Sequence, residues 1–327
     1  MIPVLVNPTA RANRRNPRLA ARFQAILGSD GRVFAPATLD DLQKVAADLR
    51  AALPPVIAIH GGDGTLHKTL SALINAWGGA PLPPVAILCG GTMNVVASSL
   101  GLRERPEVML AQLVAAQRAG RIASLATRRK RTVKVDDSYG FIFGNGLLAN
   151  FLTEYYGPNG YGPMRAVWVL LRTFASAIVG GPFARRLFRR FEGEVKVDGK
   201  ALSWPNFASI GAATVREVGL GFKLYDRADD DPDRFGVLAI HAGPLALLPH
   251  MPSVHAGRGI PAKRAFSGVA STLDVSCPSS QMTYTIDGDL YHTSAPIHVA
   301  VGPAIDFVKP ERALLAPAAG DTMNKLP

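Results

Sequence analysis

Val56-Ile-Ala-Ile-His-Gly-Gly-Asp-Gly-Thr-Leu66 carries the strongest architectural signal in the chain. Val56–Ile59 is a short apolar run of the kind a fully buried strand needs. Gly61-Gly62-Asp63-Gly64-Thr65 is a turn, and Leu66–Trp77 has helical spacing. The unit is repeated downstream: Val85–Leu88 reads as a strand, Gly90-Gly91-Thr92-Met93-Asn94 as a turn, and Val95–Leu100 as a helix. Upstream, Ile2–Val6 and Arg32–Phe34 are β-prone. Pro17–Leu27 and Leu39–Leu53 have apolar residues at helical intervals, and Pro54-Pro55 ends the second of these. Such alternation predicts a doubly wound, mostly parallel sheet over residues 1–125 with helices on both faces. Ligands bind such sheets beyond the carboxyl ends of the strands, where both glycine turns fall.

The pattern changes after Ile122. Strand-like runs dominate: Thr132–Val135, Tyr139–Phe143, Glu194–Val197, Phe207–Ile210, Gly236–His241, Thr272–Val275 and Gln281–Ile286. They predict an antiparallel β-sandwich over 126–296, interrupted by one helical excursion near 164–191. The last segment, 297–327, is expected to return to the first domain, with Ile297–Val301, Asp306–Val308 and Ala313–Ala316 as candidate strands. The predicted class is α/β plus β.

Composition excludes several alternatives. The chain has 327 residues, 48% hydrophobic and 19% charged, too apolar for disorder. Thirty-six Lys and Arg against 25 Asp and Glu give a formal charge of +11, which suits phosphate ligands or an anionic membrane. Aromatic residues are only 7%, which argues against a stacking platform for nucleic acid; no nucleic-acid partner is expected. Cys89 and Cys277 make no disulfide framework and no zinc motif, and fit a reducing cytosol. The apolar run before Asn7-Pro8 is too short for a secretory signal. Residues 166–184 approach spanning length, but Arg172 is central and Gly180-Gly181-Pro182 breaks the end. A central Arg costs about 2.5–3.5 kcal/mol on insertion scales, so a buried or membrane-surface helix is the better reading.

Chemistry concentrates in three places. Glycine turns between strand and helix let backbone amides and the helix N-terminus approach phosphate. Neither turn is a P-loop or a GxGxxG dinucleotide loop. A carboxylate at Asp63 repels phosphate unless it serves Mg²⁺ or a reacting hydroxyl; the alternative is a cap on the following helix. Thr285-Ile-Asp-Gly-Asp-Leu290 is a candidate type I′ hairpin. It puts Asp287 and Asp289 two residues apart, where side chains of one strand share a face. His60, His241, His250, His255, His292 and His298 have no metal-ligand spacing.

In this order the elements resemble the diacylglycerol kinase catalytic-domain family, which includes sphingosine and ceramide kinases. Val6-Asn7-Pro8 looks like its opening turn. Gly61–Thr65 matches its GGDGT signature, Gly91-Thr92-Met93-Asn94 resembles GTxND, and Asp287-Gly288-Asp289 resembles DGE. The resemblance implies an ATP- and Mg²⁺-dependent kinase with its active site between an ATP-binding domain and a sandwich. ATP would meet Gly61, Gly62, Asp63, Gly64, Thr65, Gly91, Thr92 and Asn94, with Asn7 bracing the loop and Thr38 touching the nucleotide. Asp289 would be the general base, or Asp63 in the manner of sphingosine kinases. Asp63 is otherwise the metal and phosphate organiser, with Asp287 beside it. Val95 stands where GTxND has Asp, and Asp289 replaces Glu. A structural Mg²⁺ of bacterial relatives would fall in Asp229–Gly236, which lacks the Asp-Gly pair.

The acceptor implied is a lipid alcohol: diacylglycerol, ceramide or a sphingoid base. Arg185, Arg186, Arg189 and Arg190 would form one basic stripe if helical, facing an anionic membrane. The stretch 127–134 is either a basic patch or an exposed strand. Residues 237–251 are apolar enough to line an acyl channel or to fill the sandwich core. The expected location is the inner face of the membrane, peripherally attached. The alternatives are a soluble NAD kinase-like enzyme, since GGDGT occurs there too, and a non-catalytic lipid-binding protein on the same fold.

Overall fold

The computed structural model describes residues 1–8, 16, 18–91, 93–157, 162–277 and 281–310. Thr92, the candidate strand Ala313–Ala316 and the rest of the tail from 311 lie outside these residues.

The first half alternates β1 (Ile2–Val6), α1 (Leu19–Leu27), β2 (Gly31–Phe34), α2 (Leu39–Ala52), β3 (Ile57–Gly61), α3 (Asp63–Trp77), β4 (Val85–Cys89), α4 (Val95–Ser99) and α5 (Pro106–Arg118). The strands pair in parallel in the order β2-β1-β3-β4. Alternate side chains enter opposite layers. Ile2, Val4, Val6, Ala58, Ala86 and Leu88 pack with α1 and α5. Leu5, Ile57, Ile59, Val85 and Ile87 pack with α2, α3 and α4. Both faces are buried, which is why these strands read as unbroken apolar runs. Met109, Leu110, Leu113 and Val114 form the buried face of α5, a helix beyond those expected, and its start carries Pro106 in the first turn, a favoured position.

The second half contains β5 (Thr127–Val135), β6 (Ser138–Gly140), β7 (Ile142–Gly146), α6 (Leu147–Tyr155), α7 (Pro163–Ile178), α8 (Pro182–Leu187), β8 (Phe191–Glu192), β9 (Glu194–Val197), β10 (Lys200–Ala201), β11 (Asn206–Phe207), β12 (Ser209–Ala213), β13 (Phe235–Ile240), α9 (Pro244–Leu247), α10 (Met251–His255), β14 (Ala265–Ala270), β15 (Thr272–Ser276), β16 (Met282–Ile286), β17 (Asp289–Thr293) and β18 (Ile297–Val308). One antiparallel sheet runs β14-β13-β12-β7-β16-β17. It faces β5, β9, β15 and the first part of β18 across a core of Val133, Phe143, Phe235, Val275 and Val299. β18 then continues to the parallel sheet, pairing Phe307 with Val85 of β4, so one large sheet passes between the halves.

Three local expectations are revised. The run Tyr139–Phe143 is not one strand. It breaks at Phe141, where the backbone leaves β5 for the other sheet. The helical excursion is two helices, separated at Gly180 (φ 63°) and Gly181. The four arginines therefore share no helical stripe: α8 ends at Leu187, before Arg189 and Arg190, although all four side chains are exposed. Leu147–Tyr155 forms α6, a helix hidden by its position directly after a strand. Among the described residues, no helix is long and apolar enough to cross a membrane.

Candidate active site

The two glycine turns lie back to back at the carboxyl ends of β3 and β4. A Cβ on Gly91 would come within 2.4 Å of the Gly62 Cα, so only glycine permits this approach. Gly62 is the residue before α3, and Asp63-Gly64-Thr65 form the helix's first turn rather than a loop ahead of it. Amides of a first turn have no partner within the helix and the helix dipole favours anions there. Asn7, following β1, donates from Nδ2 to Thr65 Oγ1 at 3.2 Å. Asn94, in the left-handed region at φ 47°, accepts from Gly91 N at 2.9 Å and donates to Gly91 O at 3.0 Å. Thr38 starts α2: its hydroxyl accepts from Asp41 N at 3.1 Å in a capping box.

Each carboxylate has a different environment. Asp63 does not cap its own helix. It accepts the amides of Val95 and Val96, both at 3.0 Å, and so caps α4 across the two turns. Burial pushes its carboxyl up, against those two bonds that hold it down. Asp287 is in the hairpin turn, with φ 48° followed by Gly288 at φ 94°. Both values match a type I′ turn. That conformation sends its carboxylate inward, where it accepts Phe141 N at 2.9 Å and Ile142 N at 2.8 Å. These two bonds are why the Tyr139–Phe143 run is broken. Burial raises the Asp287 carboxyl well above its ordinary range, and the neighbouring Asp63 and Asp289 charges add to this. The expectation that Asp287 and Asp289 point the same way from one strand is therefore corrected. Asp287 turns into the protein, and Asp289 opens β17.

Asp289 reaches the phosphate turn. A Cβ on Gly64 would stand 3.1 Å from its Oδ2. Lys68 Nζ lies 3.3 Å from each carboxylate oxygen and donates to Oδ1, leaving the buried Oδ2 without a hydrogen bond. Gly64 and Lys68 are one helical turn apart on α3, so Asp289 sits over that face. Lys68 was missed in sequence, although its i+4 spacing from Gly64 was readable. His67 was missed as well. Its Nδ1 meets Tyr139 O at 2.9 Å and its Nε2 meets Tyr291 Oη at 2.7 Å. A carbonyl requires a donor, so Nδ1 carries the proton and Tyr291 donates to Nε2. Burial lowers the His67 pKa and raises that of Tyr291 to about 12.

A cavity of about 370 Å³ opens from this cluster. Asp63, Gly64, Asp287 and Gly288 are at its polar end, and its walls come from α6, α7, the 218–224 segment and the α9–α10 region. Of the stretch 237–251, Val237 packs in the sandwich core, whereas Ile240, Leu247 and Met251 line the cavity. Val95 also faces it, supplying apolar wall where the GTxND pattern has Asp.

The acidic stretch Asp229–Gly236 is occupied by cations of the chain. Lys130 pairs with Asp229 and Arg131 with Asp233, each at 2.8 Å, and Arg227 pairs with Asp230 at 2.7 Å. The basic run on β5 is thus a charge-matched strand for that loop. Among the described residues, no cluster of three or more His, Cys, Asp or Glu side chains could hold a metal ion.

Residues 1–124 match the sequence model of the diacylglycerol kinase catalytic domain. The solved structure of a diacylglycerol kinase from Bacillus anthracis str. Sterne aligns with 96% of this chain and 98% of its own, at 13% identity and TM-score 0.60. A candidate diacylglycerol kinase of the same strain aligns with the same shares at 14% identity and TM-score 0.67. At these identities the likeness establishes the shared two-part fold. No curated protein matches the chain by sequence.

Proposed function

We propose that the protein transfers the γ-phosphoryl group of ATP to the primary hydroxyl of a membrane lipid alcohol such as diacylglycerol, ceramide or a sphingoid base; the match of residues 1–124 to the diacylglycerol kinase catalytic-domain model supports this reading. The carrying observation is the apolar cavity whose polar end is built from the GGDGT turn and the acidic hairpin. A lipid lying in it presents its hydroxyl to Gly64 and leaves its chains among Leu148, Phe151, Leu170 and Phe174. A soluble dinucleotide acceptor has no use for such walls.

ATP phosphates rest on the first-turn amides of α3, with Gly62 and Gly91 allowing close approach. Asp289 is the group that orients the hydroxyl and takes its proton. Asp63 and Asp287 are each committed to two backbone amides, while Asp289 keeps a buried, unbonded oxygen beside Gly64. Phosphoryl transfer passes through a loose transition state, so positioning and charge neutralisation carry most of the catalysis. Lys68 holds the carboxylate in place. Asp63 braces the second turn against the first. The donor set fits Mg²⁺ arriving with ATP, since that ion takes one or two carboxylates and otherwise phosphate and water. Asp63 is the residue that would hold it, leaving Asp289 Oδ2 for the hydroxyl, and the ion would there neutralise charge on the phosphates.

The outer face of α7 supports membrane docking. Met164, Trp168, Leu171, Ile178 and Val179 are all exposed, Met164 and Val179 to 79%. The inner face of the same helix lines the cavity through Ala166, Leu170 and Phe174. Arg172 stacks on Trp168 and Phe183, with Arg185, Arg186, Arg189 and Arg190 nearby in the chain. Arginines beside an apolar face suit an anionic bilayer, at about 1 kcal/mol each near the surface. Arg186 shares its charge with Glu154 at 3.8 Å and contributes less.

The test is labelled ATP with a panel of lipid alcohols in mixed micelles, NAD included. Phosphorylated lipid is expected from the wild type. Asp289→Asn should abolish turnover and retain ATP binding. Phosphorylation of NAD alone, or an active Asp289→Asn, overturns the assignment.

A further inference from the structure

The second glycine turn reaches into the cavity wall. Among its described residues Met93 lines the cavity, and its methyl end lies against Gly219 of the wall segment 218–224. A Cβ on Gly219 would stand 2.7 Å from Met93 Cε and 3.7 Å from Val95 Cγ2, so Met93 would have to move for any larger residue there. Gly219 itself is buried. The first turn bears on the same point. Asp63 accepts the Val95 amide at 3.0 Å, so the start of α4 is tied to the GGDGT turn on one side and abuts Gly219 on the other.

The segment that receives these contacts has a strained backbone. Gly219, Leu220 and Gly221 all have positive φ, at 119°, 51° and 77°. A non-glycine residue persists in the left-handed region only where its surroundings hold it. The loop closes on itself: Val218 N donates to Phe222 O and Phe222 N to Gly219 O, each at 3.0 Å, and Gly221 N donates to Glu217 Oε1 at 3.2 Å. It leans on the nucleotide turn at one end and on His255 of α10 at the other, where the Phe222 ring meets the imidazole edge to face at 5.3 Å. Val218, Leu220 and Phe222 line the cavity between these supports. We propose that Met93 is a positioning residue for the acceptor: nucleotide on the second glycine turn fixes Met93, Met93 fixes the 218–222 wall, and acceptor affinity rises when nucleotide is bound. This rests on the lipid-kinase reading and adds cooperation between its two substrates. A wall set before the lipid arrives leaves less ordering to be done when it binds. Such coupling passes through packed side chains that share a contact. It is reciprocal, so the acceptor raises nucleotide affinity by the same factor.

The test is calorimetric titration of the full chain with AMP-PNP and Mg²⁺ as nucleotide and 1,2-dioctanoylglycerol as acceptor, each with and without the other. Wild type is expected to bind dioctanoylglycerol about 5-fold or more tightly when nucleotide is present, and AMP-PNP more tightly by the same factor when dioctanoylglycerol is present. Met93→Ala should bring both factors close to one and leave the affinity for AMP-PNP alone unaltered, since the side chain faces the cavity. Met93→Leu, an apolar side chain of similar volume, should retain them. A methionine that merely fills the wall predicts a different result. Met93→Ala would then weaken dioctanoylglycerol equally with and without nucleotide, and the preserved factor would overturn the inference. Wild-type factors of one, in a protein that still phosphorylates lipid, would overturn it alone. A wild type that binds dioctanoylglycerol in neither state and phosphorylates no lipid alcohol would overturn the lipid-kinase reading and this inference together.

Discussion

Gly64→Ala separates stability from catalysis at one atom. Gly64 is in the first turn of α3 with no positive φ, so alanine fits the backbone. Replacing a helical glycine stabilises by up to about 1 kcal/mol, or roughly 2 °C in a protein of this size. The new methyl points at Asp289, 3.1 Å from Oδ2 and 3.4 Å from Oδ1. Ordinary contact starts near 3.4 Å, so the carboxylate must retreat by about 0.3 Å. It has room to do so, being half-buried and held on its other side only by Lys68. A 1 Å misplacement costs on the order of 100-fold in rate, so 0.3 Å costs about fourfold in kcat. The methyl faces away from the first-turn amides, and the KM for ATP should change little. Steady-state kinetics with both substrates varied, together with a thermal melt, give all three readings. Full kcat in a more stable variant would refute the role of Asp289 at this distance. A loss confined to the KM for ATP would move the function of Gly64 to nucleotide approach.

Asp63→Asn leaves one of the Val95 and Val96 amides without its acceptor, at about 1.5–3 kcal/mol for a charge-assisted bond; the melting temperature and the ATP affinity should fall together, and a variant that loses turnover with unaltered melting would point instead to Asp63 as the base. Asp287 has a raised carboxyl pKa, so its contribution is complete below the unfolded value near 3.8 and is lost as pH rises through the folded one. Denaturant titrations from pH 4 to 8 should show wild type losing stability relative to Asp287→Asn as pH increases. His67 has the opposite sign: its pKa is lowered, so its contribution is present above the unfolded value of 6.5 and is lost as pH falls through the folded one. The difference between wild type and His67→Gln should shrink in that acid window, and a pH-independent difference would contradict the buried neutral ring. For the loop 229–236, chelation in the absence of nucleotide should leave the melting temperature unchanged, because Lys130 and Arg131 already neutralise Asp229 and Asp233. Trp168→Glu with Leu171→Glu should release the protein from anionic vesicles while leaving its melting curve intact, since both side chains are exposed.

Local chemistry was legible in the chain itself. The unbroken apolar strands and helical periodicity of residues 1–100, the Pro54-Pro55 stop and the Asp287-Gly288 turn depend on near neighbours, and these produced their elements where expected. The two glycine turns at the ends of β3 and β4 followed from that alternation. What neighbours could not supply was the destination of each carboxylate. Asp287 binds amides 145 and 146 residues away, and its choice of them breaks a strand that periodicity alone would continue. Asp63 caps a helix that begins 32 residues later instead of its own. The basic run on β5 and the acidic loop look like two independent surfaces until folding joins residues 99 to 102 apart in sequence in one ion-pair row. The cavity is the extreme case. Its walls come from segments each apolar enough to be core, and only their packing leaves space between them. A side chain's apolar character favours removal from water in either setting, so hydrophobicity alone cannot distinguish a filled interior from the wall of an open cavity.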